Sequence, residues 1–166
     1  MSLQIAGIVK ESTVDGPGIR LVVFVQGCDK CCPHCQNKHT WNYDGGKKMD
    51  IEEILKEIEN DHLIDGVSFS GGEPFDQPIE LAKLAIKVHD KGLKIITWSG
   101  YTYEEIMSKP ERTILLQNID YLVDGRYVEE KKNLLLKWRG SSNQRLIDVQ
   151  ESLRQNHVVV VEDFSL

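Results

Sequence analysis

The sequence predicts an α/β fold: a mainly parallel sheet that forms part of a barrel and does not close it. Two observations carry this. Short apolar runs of strand character alternate with segments whose apolar residues recur at helical spacing, the pattern of right-handed strand–helix–strand units. The chain has 166 residues, whereas an eight-unit barrel takes about 250, so it holds only a partial, incomplete TIM-like barrel.

The elements follow in order. Residues 3–9 read as a strand, Asp15-Gly16-Pro17-Gly18 as a turn-rich link, and the strongly apolar residues 19–25 as a second strand, together a β-hairpin. A cysteine-rich loop comes next. Asp50 is placed to cap a helix in which Ile51, Ile54, Leu55 and Ile58 share one face. Residues 66–70 read as a buried strand ending at Gly71-Gly72. Pro78 then opens a helix with a stripe of Ala82, Ala85, Ile86 and His89, and Gly92 ends it. Residues 93–98 form another strand. Thr102 and Glu105 have the spacing of a capping box for a short helix that stops at Pro110. Residues 119–123 are a further strand, ending at Asp124-Gly125. The tail, residues 145–149 and 158–161, adds edge strands. There is no internal repeat or linker, so residues 1–166 are expected to form a single domain.

Composition narrows the function classes. Hydrophobic residues make up 40% and charged residues 28%, a balance that supports a soluble core. No apolar run approaches the roughly 18 residues of a membrane span. The N-terminus has no basic head followed by an apolar stretch, so a cytoplasmic address is expected. A net charge of -6 argues against a nucleic-acid partner, which needs a basic face. The pairs Lys47-Lys48 and Lys131-Lys132 read as solvated surface.

All four cysteines lie between Cys28 and Cys35. A disulfide framework would spread them across the fold, so the clustering points to a metal. Structural zinc usually joins two separated pairs, and only one loop is present here, with His34 inside it. A redox pair of Cys28 and Cys31 would leave Cys32 and Cys35 without a role. A single loop can instead wrap one face of a cuboidal iron-sulfur cluster, with thiolates reaching three irons.

The run Cys28-Asp29-Lys30-Cys31-Cys32-Pro33-His34-Cys35 contains C-x3-C-x2-C and resembles the signature of radical S-adenosylmethionine (radical SAM) enzymes. The resemblance implies a 4Fe-4S cluster on Cys28, Cys32 and Cys35, with Cys31 a bystander; the trio Cys28, Cys31 and Cys35 is the alternative. Ser70-Gly71-Gly72-Glu73-Pro74, one strand–helix unit later, is similar to the element that meets the methionine end of the cofactor in that family. As a Gly-Gly alone it would more often be a plain turn. The position before the third cysteine is often aromatic in the family, and His34 departs from that, which leaves its main chain as the cofactor contact. The implied cofactor-binding set is His34, Cys35, Gln36, Gly71, Gly72, Glu73 and Ser99, although Ser99 also reads as a simple turn. Asp124 is a weaker candidate, since an acidic strand-end residue is often only a cap. No catalytic side chain is implied beyond the cluster and the bound cofactor.

Four further segments occur in order: Asp15-Gly16-Pro17-Gly18-Ile19-Arg20, the stretch from Cys35 to Trp41, the stretch from Val123 to Tyr127, and the stretch from Trp138 to Gln144. Together they look like the activating proteins of anaerobic, class III ribonucleoside-triphosphate reductases. Without the resemblance, the last segment is a polar loop and Trp41 and Trp138 are packing residues. The resemblance implies reductive cleavage of S-adenosylmethionine to a 5′-deoxyadenosyl radical, which generates a glycyl radical on the large subunit of the reductase. A flavodoxin- or ferredoxin-type protein would supply the electron. The alternatives are an activase of another glycyl-radical enzyme, such as pyruvate formate-lyase, and a non-catalytic iron-sulfur or zinc module.

Overall fold

In the computed structural model, which describes residues 1–162, the hairpin strands are β1 (Ser2–Ser12) and β2 (Arg20–Val25), followed by β3 (Lys47–Asp50) and helix α1 (Ile51–Asn60). Then come β4 (Gly66–Gly71), α2 (Pro78–His89), β5 (Lys94–Trp98), two short helices α3 (Tyr103–Met107) and α4 (Pro110–Leu116), β6 (Tyr121–Asp124), β7 (Arg145–Asp148) and α5 (Val149–Gln155). All seven strands belong to one open sheet in the order β3-β1-β2-β4-β5-β6-β7. The four strands β2, β4, β5 and β6 are parallel, and antiparallel strands finish both edges. The sheet is thus a partial barrel with a parallel centre, and three of its six pairings are antiparallel.

Local chemistry explains most boundaries. Asp50 caps α1 by accepting from the Glu52 amide, and Thr102 caps α3 by accepting from Glu105. Pro78 occupies the first turn of α2, where its missing N–H costs nothing. Gly92 follows that helix with φ +78°, a left-handed conformation open to glycine.

The stripe expected on α2 is rotated from its true position. Its buried residues are Leu81, Ala82, Leu84, Ala85 and Val88, while Ile86 is 48% exposed and His89 meets the Asp120 carboxylate at 2.7 Å. Leu81 and Leu84 are fully buried, each contributing about 1.5–3 kcal/mol on burial. Three elements were not expected. β3 is a polar edge strand paired with β1, α4 starts at Pro110, and α5 starts at Val149. Of the expected tail strands, β7 ends at Asp148, and residues 158–161 lie alongside it through a single bridge, Ile147 to Val160.

Strand alternation separates the two faces of the sheet. Leu21, Val23, Val25, Val67, Phe69 and Ile95 point into the main core under the helices. Their neighbours Phe24, Ser70 and Trp98 point to the other face, the one a closed barrel would turn inward. Arg20 ties the opposite end of the strands together. Its buried guanidinium donates to Ser68 Oγ and to the carbonyls of Pro17, Val67 and Lys94. Burial pushes its pKa down to about 10.

Candidate functional site

Because β2, β4, β5 and β6 are parallel, their C-terminal ends meet on one rim, where open α/β sheets bind ligands. The loop after β2 carries the cysteines, β4 ends in Gly71-Gly72-Glu73, β5 in Ser99-Gly100, and β6 in Asp124-Gly125. Below this rim is a pocket of about 530 Å³, the size of a small-molecule site.

Cys28, Cys32 and Cys35 line the pocket, each partly buried with a free thiol. Cys31 is exposed and outside the lining. The backbone accounts for the difference: Cys31 and His34 adopt left-handed φ values of +49° and +62°, turning the chain sharply between the inward-facing thiols. The loop is pinned at its base by Gly27 N–H to Thr40 O (2.6 Å) and Cys28 N–H to Trp41 O (3.1 Å). Burial pushes the Cys28 thiol up, while the backbone amide and charge of Lys30 pull it back.

The cysteine loop and the Gly-Gly turn are joined. The Gly72 amide donates to Val25 O (2.9 Å) and the Glu73 amide to Gly27 O (2.8 Å). A Cβ on Gly72 would stand 2.4 Å from Gly27 O, so the approach requires glycine. The other expected contact residues, His34, Gln36, Gly71, Gly72, Glu73 and Ser99, all line the same pocket.

Glu73 faces inward to hold the loops. Its carboxylate accepts from Phe75 N (3.0 Å), Ser99 Oγ (2.8 Å) and Gly100 N (2.8 Å), and lies 3.2 Å from Lys30 Nζ. Burial pushes Glu73 up, and Lys30 and the three donors oppose it. For Lys30, burial acts downward, but the charges of Glu73, Tyr101 and Asp76 outweigh it and hold the ammonium above its ordinary value. Lys30 also sits 3.4 Å from the Tyr101 ring centroid. Asp124 is not part of the pocket lining. It is buried, caps α3 at the Tyr103 amide, and pairs with Arg145 at 2.6 Å.

The segment after β6 covers part of the pocket and contributes Tyr127, Lys132, Leu134, Trp138 and Arg139 to its lining. The Ser141-Ser142-Asn143-Gln144 stretch braces it. Gln144 accepts from Gly140 N and Ser141 N and donates to Gly125 O, Asn143 donates to Arg126 O, and Ser141 Oγ accepts from Val128 N. Trp98 Nε1 donates to Trp138 O (2.7 Å).

The residues present suit a three-thiolate cluster with a polar organic cofactor beside it. Three free thiols line one pocket, and thiolates are the ligands iron-sulfur clusters take; among the described residues no three such side chains stand close enough together to hold a single metal ion. In the pocket lining, Trp138 Nε1 and Arg139 Nε are buried with no hydrogen-bond partner among the described residues, as groups awaiting a ligand would be. Lys30, Trp98, Trp138 and Arg139 were not singled out for the site from sequence. An aromatic or basic residue in a polar loop carries no sign of the strand ends it will meet.

Comparison with known proteins agrees with this geometry. Residues 14–147 match a family described as a 4Fe-4S single cluster domain. The anaerobic ribonucleoside-triphosphate reductase-activating protein of Salmonella typhi is 37% identical over 139 residues, covering 79% of this chain and 89% of that one. Its namesake from Enterobacteria phage T4 is 36% identical over 143 residues, covering 80% and 86%. A pyruvate formate-lyase-activating enzyme from Clostridium pasteurianum is 38% identical over 133 residues, covering 75% of this chain but 55% of that one. Among solved structures, QueE from Escherichia coli superposes with a TM-score of 0.52 at 19% identity, covering 61% and 54%, a likeness of fold. With its thiol-lined pocket and these relatives, the chain belongs to the 4Fe-4S family of anaerobic ribonucleoside-triphosphate reductase-activating proteins.

Proposed function

We propose that this chain is a radical SAM activase that generates a glycyl radical on the large subunit of an anaerobic ribonucleoside-triphosphate reductase, with Cys28, Cys32 and Cys35 holding its 4Fe-4S cluster. The observation that carries the reading is that those three free thiols and the Gly71-Gly72 turn line one pocket. The reductase is favoured over pyruvate formate-lyase as the target because the proteins named for the reductase match over more of this chain, 79–80% against 75%.

Cys28, Cys32 and Cys35 would hold the cluster, which when bound would supply one-electron reducing chemistry toward S-adenosylmethionine, directed at a glycine Cα of the partner. The protein's own residues bind and position. The Gly71-Gly72 backbone, free of side chains, lets a cofactor lie against the sheet. The Glu73 carboxylate fixes the height of the turn through Ser99, Gly100 and Lys30. The His34 main chain and Gln36 flank the third thiol, and Phe24 and Trp98 give an apolar wall that excludes water. Trp138 Nε1 and Arg139 Nε offer unused donors to the cofactor's polar groups.

Residues 1–166 act as one domain in this reading, in the cytoplasm, with a flavodoxin- or ferredoxin-type electron donor. Among the described residues, no helix is long and apolar enough to cross a membrane. The test is anaerobic reconstitution with iron and sulfide, then reduction with S-adenosylmethionine and addition of the reductase. Formation of 5′-deoxyadenosine and a glycyl radical signal on the reductase is expected. Bound metal without 5′-deoxyadenosine would indicate a non-catalytic iron-sulfur or zinc module. Radical transfer to pyruvate formate-lyase alone would indicate the other activase.

A further inference from the structure

The segment between β6 and β7 ends in an apolar tip beside the pocket. Leu134 is 86% and Leu135 92% exposed, and Val14, which lines the same pocket, is 77% exposed. Exposed leucines are common singly, but a run at a pocket mouth marks an interaction surface. The tip is also held in place. Lys132 and Ser141 form a bridge, the Asn133 amide donates to Gly140 O (3.3 Å), and the Leu136 amide donates to Asn133 O (3.3 Å). With the Gln144 and Asn143 brace at its base, the segment presents its leucines on a fixed arm.

Charge adds a second, independent observation. Residues 126–140 hold five cations, Arg126, Lys131, Lys132, Lys137 and Arg139, against two anions, Glu129 and Glu130, a net of +3 on a chain whose total is -6. Five of the 20 basic residues of an acidic protein thus flank its most exposed leucines, in a segment that lines the thiol-bearing pocket. We propose that this arm is the docking surface for the glycyl-radical partner, and that it receives an acidic, apolar-bearing segment next to the target glycine. The proposal rests on the activase reading and specifies where and by what chemistry the protein substrate is held. A second copy of this chain also carries acidic surface, but continuity of the leucines with the pocket favours the partner whose glycine must reach it.

The test uses the double substitution Leu135→Ser and Lys131→Glu, two exposed positions outside the pocket lining. The affinity of the cluster-free chain for the reductase is measured by calorimetry at low and high salt. The loaded enzyme is then assayed for initial rates of glycyl-radical formation against reductase concentration. Affinity is expected to weaken, and KM for the reductase to rise, by about tenfold or more, as loss of one buried leucine contact and reversal of one charge imply. Maximal rate and reductase-free formation of 5′-deoxyadenosine should stay within about twofold of the parent. The salt dependence of binding should become shallower. Equal affinities for parent and variant overturn the docking surface. A self-associated parent that the substitutions dissociate, with reductase affinity unchanged, overturns it in favour of a second copy. Failure of the activase reading shows elsewhere, as a parent enzyme that neither binds the reductase nor forms its radical, and that too overturns the docking surface.

Discussion

Replacing Glu73 by Gln should destabilise the chain more than any surface change, because it strands a buried cation. The Lys30 side chain is 3% exposed and the Glu73 side chain 1%, with Nζ and Oε1 3.2 Å apart. Breaking a buried pair by removing one charge costs about 3–5 kcal/mol, since the remaining ion cannot return to water. For a chain of this size that lowers the unfolding midpoint by roughly 6–20 °C. Lys30→Met should cost less, about 1–3 kcal/mol, because Glu73 keeps its three donors from Phe75, Ser99 and Gly100. Combining both substitutions should recover part of the loss, with a coupling of at least about 1 kcal/mol. Urea unfolding of the cluster-free chain under reducing conditions, followed by circular dichroism, gives all three values. A cost below about 1 kcal/mol for Glu73→Gln, or single costs that simply add, would refute the ion pair as the tie between the cysteine loop and the strand ends.

Three other outcomes are expected. Cys31→Ala should keep the iron content of the reconstituted protein and Cys32→Ala should lose it, read by iron and sulfide analysis; the reverse would transfer the ligand role to Cys31. Gly72→Ala, whose Cβ would stand 2.4 Å from Gly27 O, should reduce cofactor cleavage by about tenfold or more, because the turn must move away from the cysteine loop. Glu104 is held below its ordinary value by its hydrogen bond from Arg145. The stability it adds is therefore complete above about pH 4.5 and lost as pH falls through the lower folded value. Arg145→Met should flatten the part of that acid-side slope due to Glu104, by less than about 1 kcal/mol because the glutamate is mostly exposed, as acid titration of unfolding would show.

What the sequence made legible was what local chemistry decides. Asp50, Pro78 and Thr102 announce helix starts because caps and first turns depend on residues a few positions apart. The cysteine loop and Gly71-Gly72 could be placed because each directly follows a strong apolar strand. β3 was not visible because Lys47-Lys48-Met49-Asp50 has no strand pattern of its own and is extended only by pairing with β1. Pro110 was read as a stop, but it also opens α4, since the same missing N–H suits a first turn. The Lys30–Glu73 contact spans two loops separated by two strands and a helix, β3, α1 and β4. Nothing in a run of polar residues tells which charge will be buried against which.

The Glu73 amide donates to Gly27 O at the base of the cysteine loop and the Gly72 amide to Val25 O at the end of β2, so the glycine turn is tied to the backbone that leads into the thiols. Residues that order the thiols also set the height of the glycine turn, so ordering one loop lowers the entropy still to be lost by the other. Iron occupancy would then be expected to raise affinity for S-adenosylmethionine, and the cofactor to raise affinity for iron, by the same factor at equilibrium.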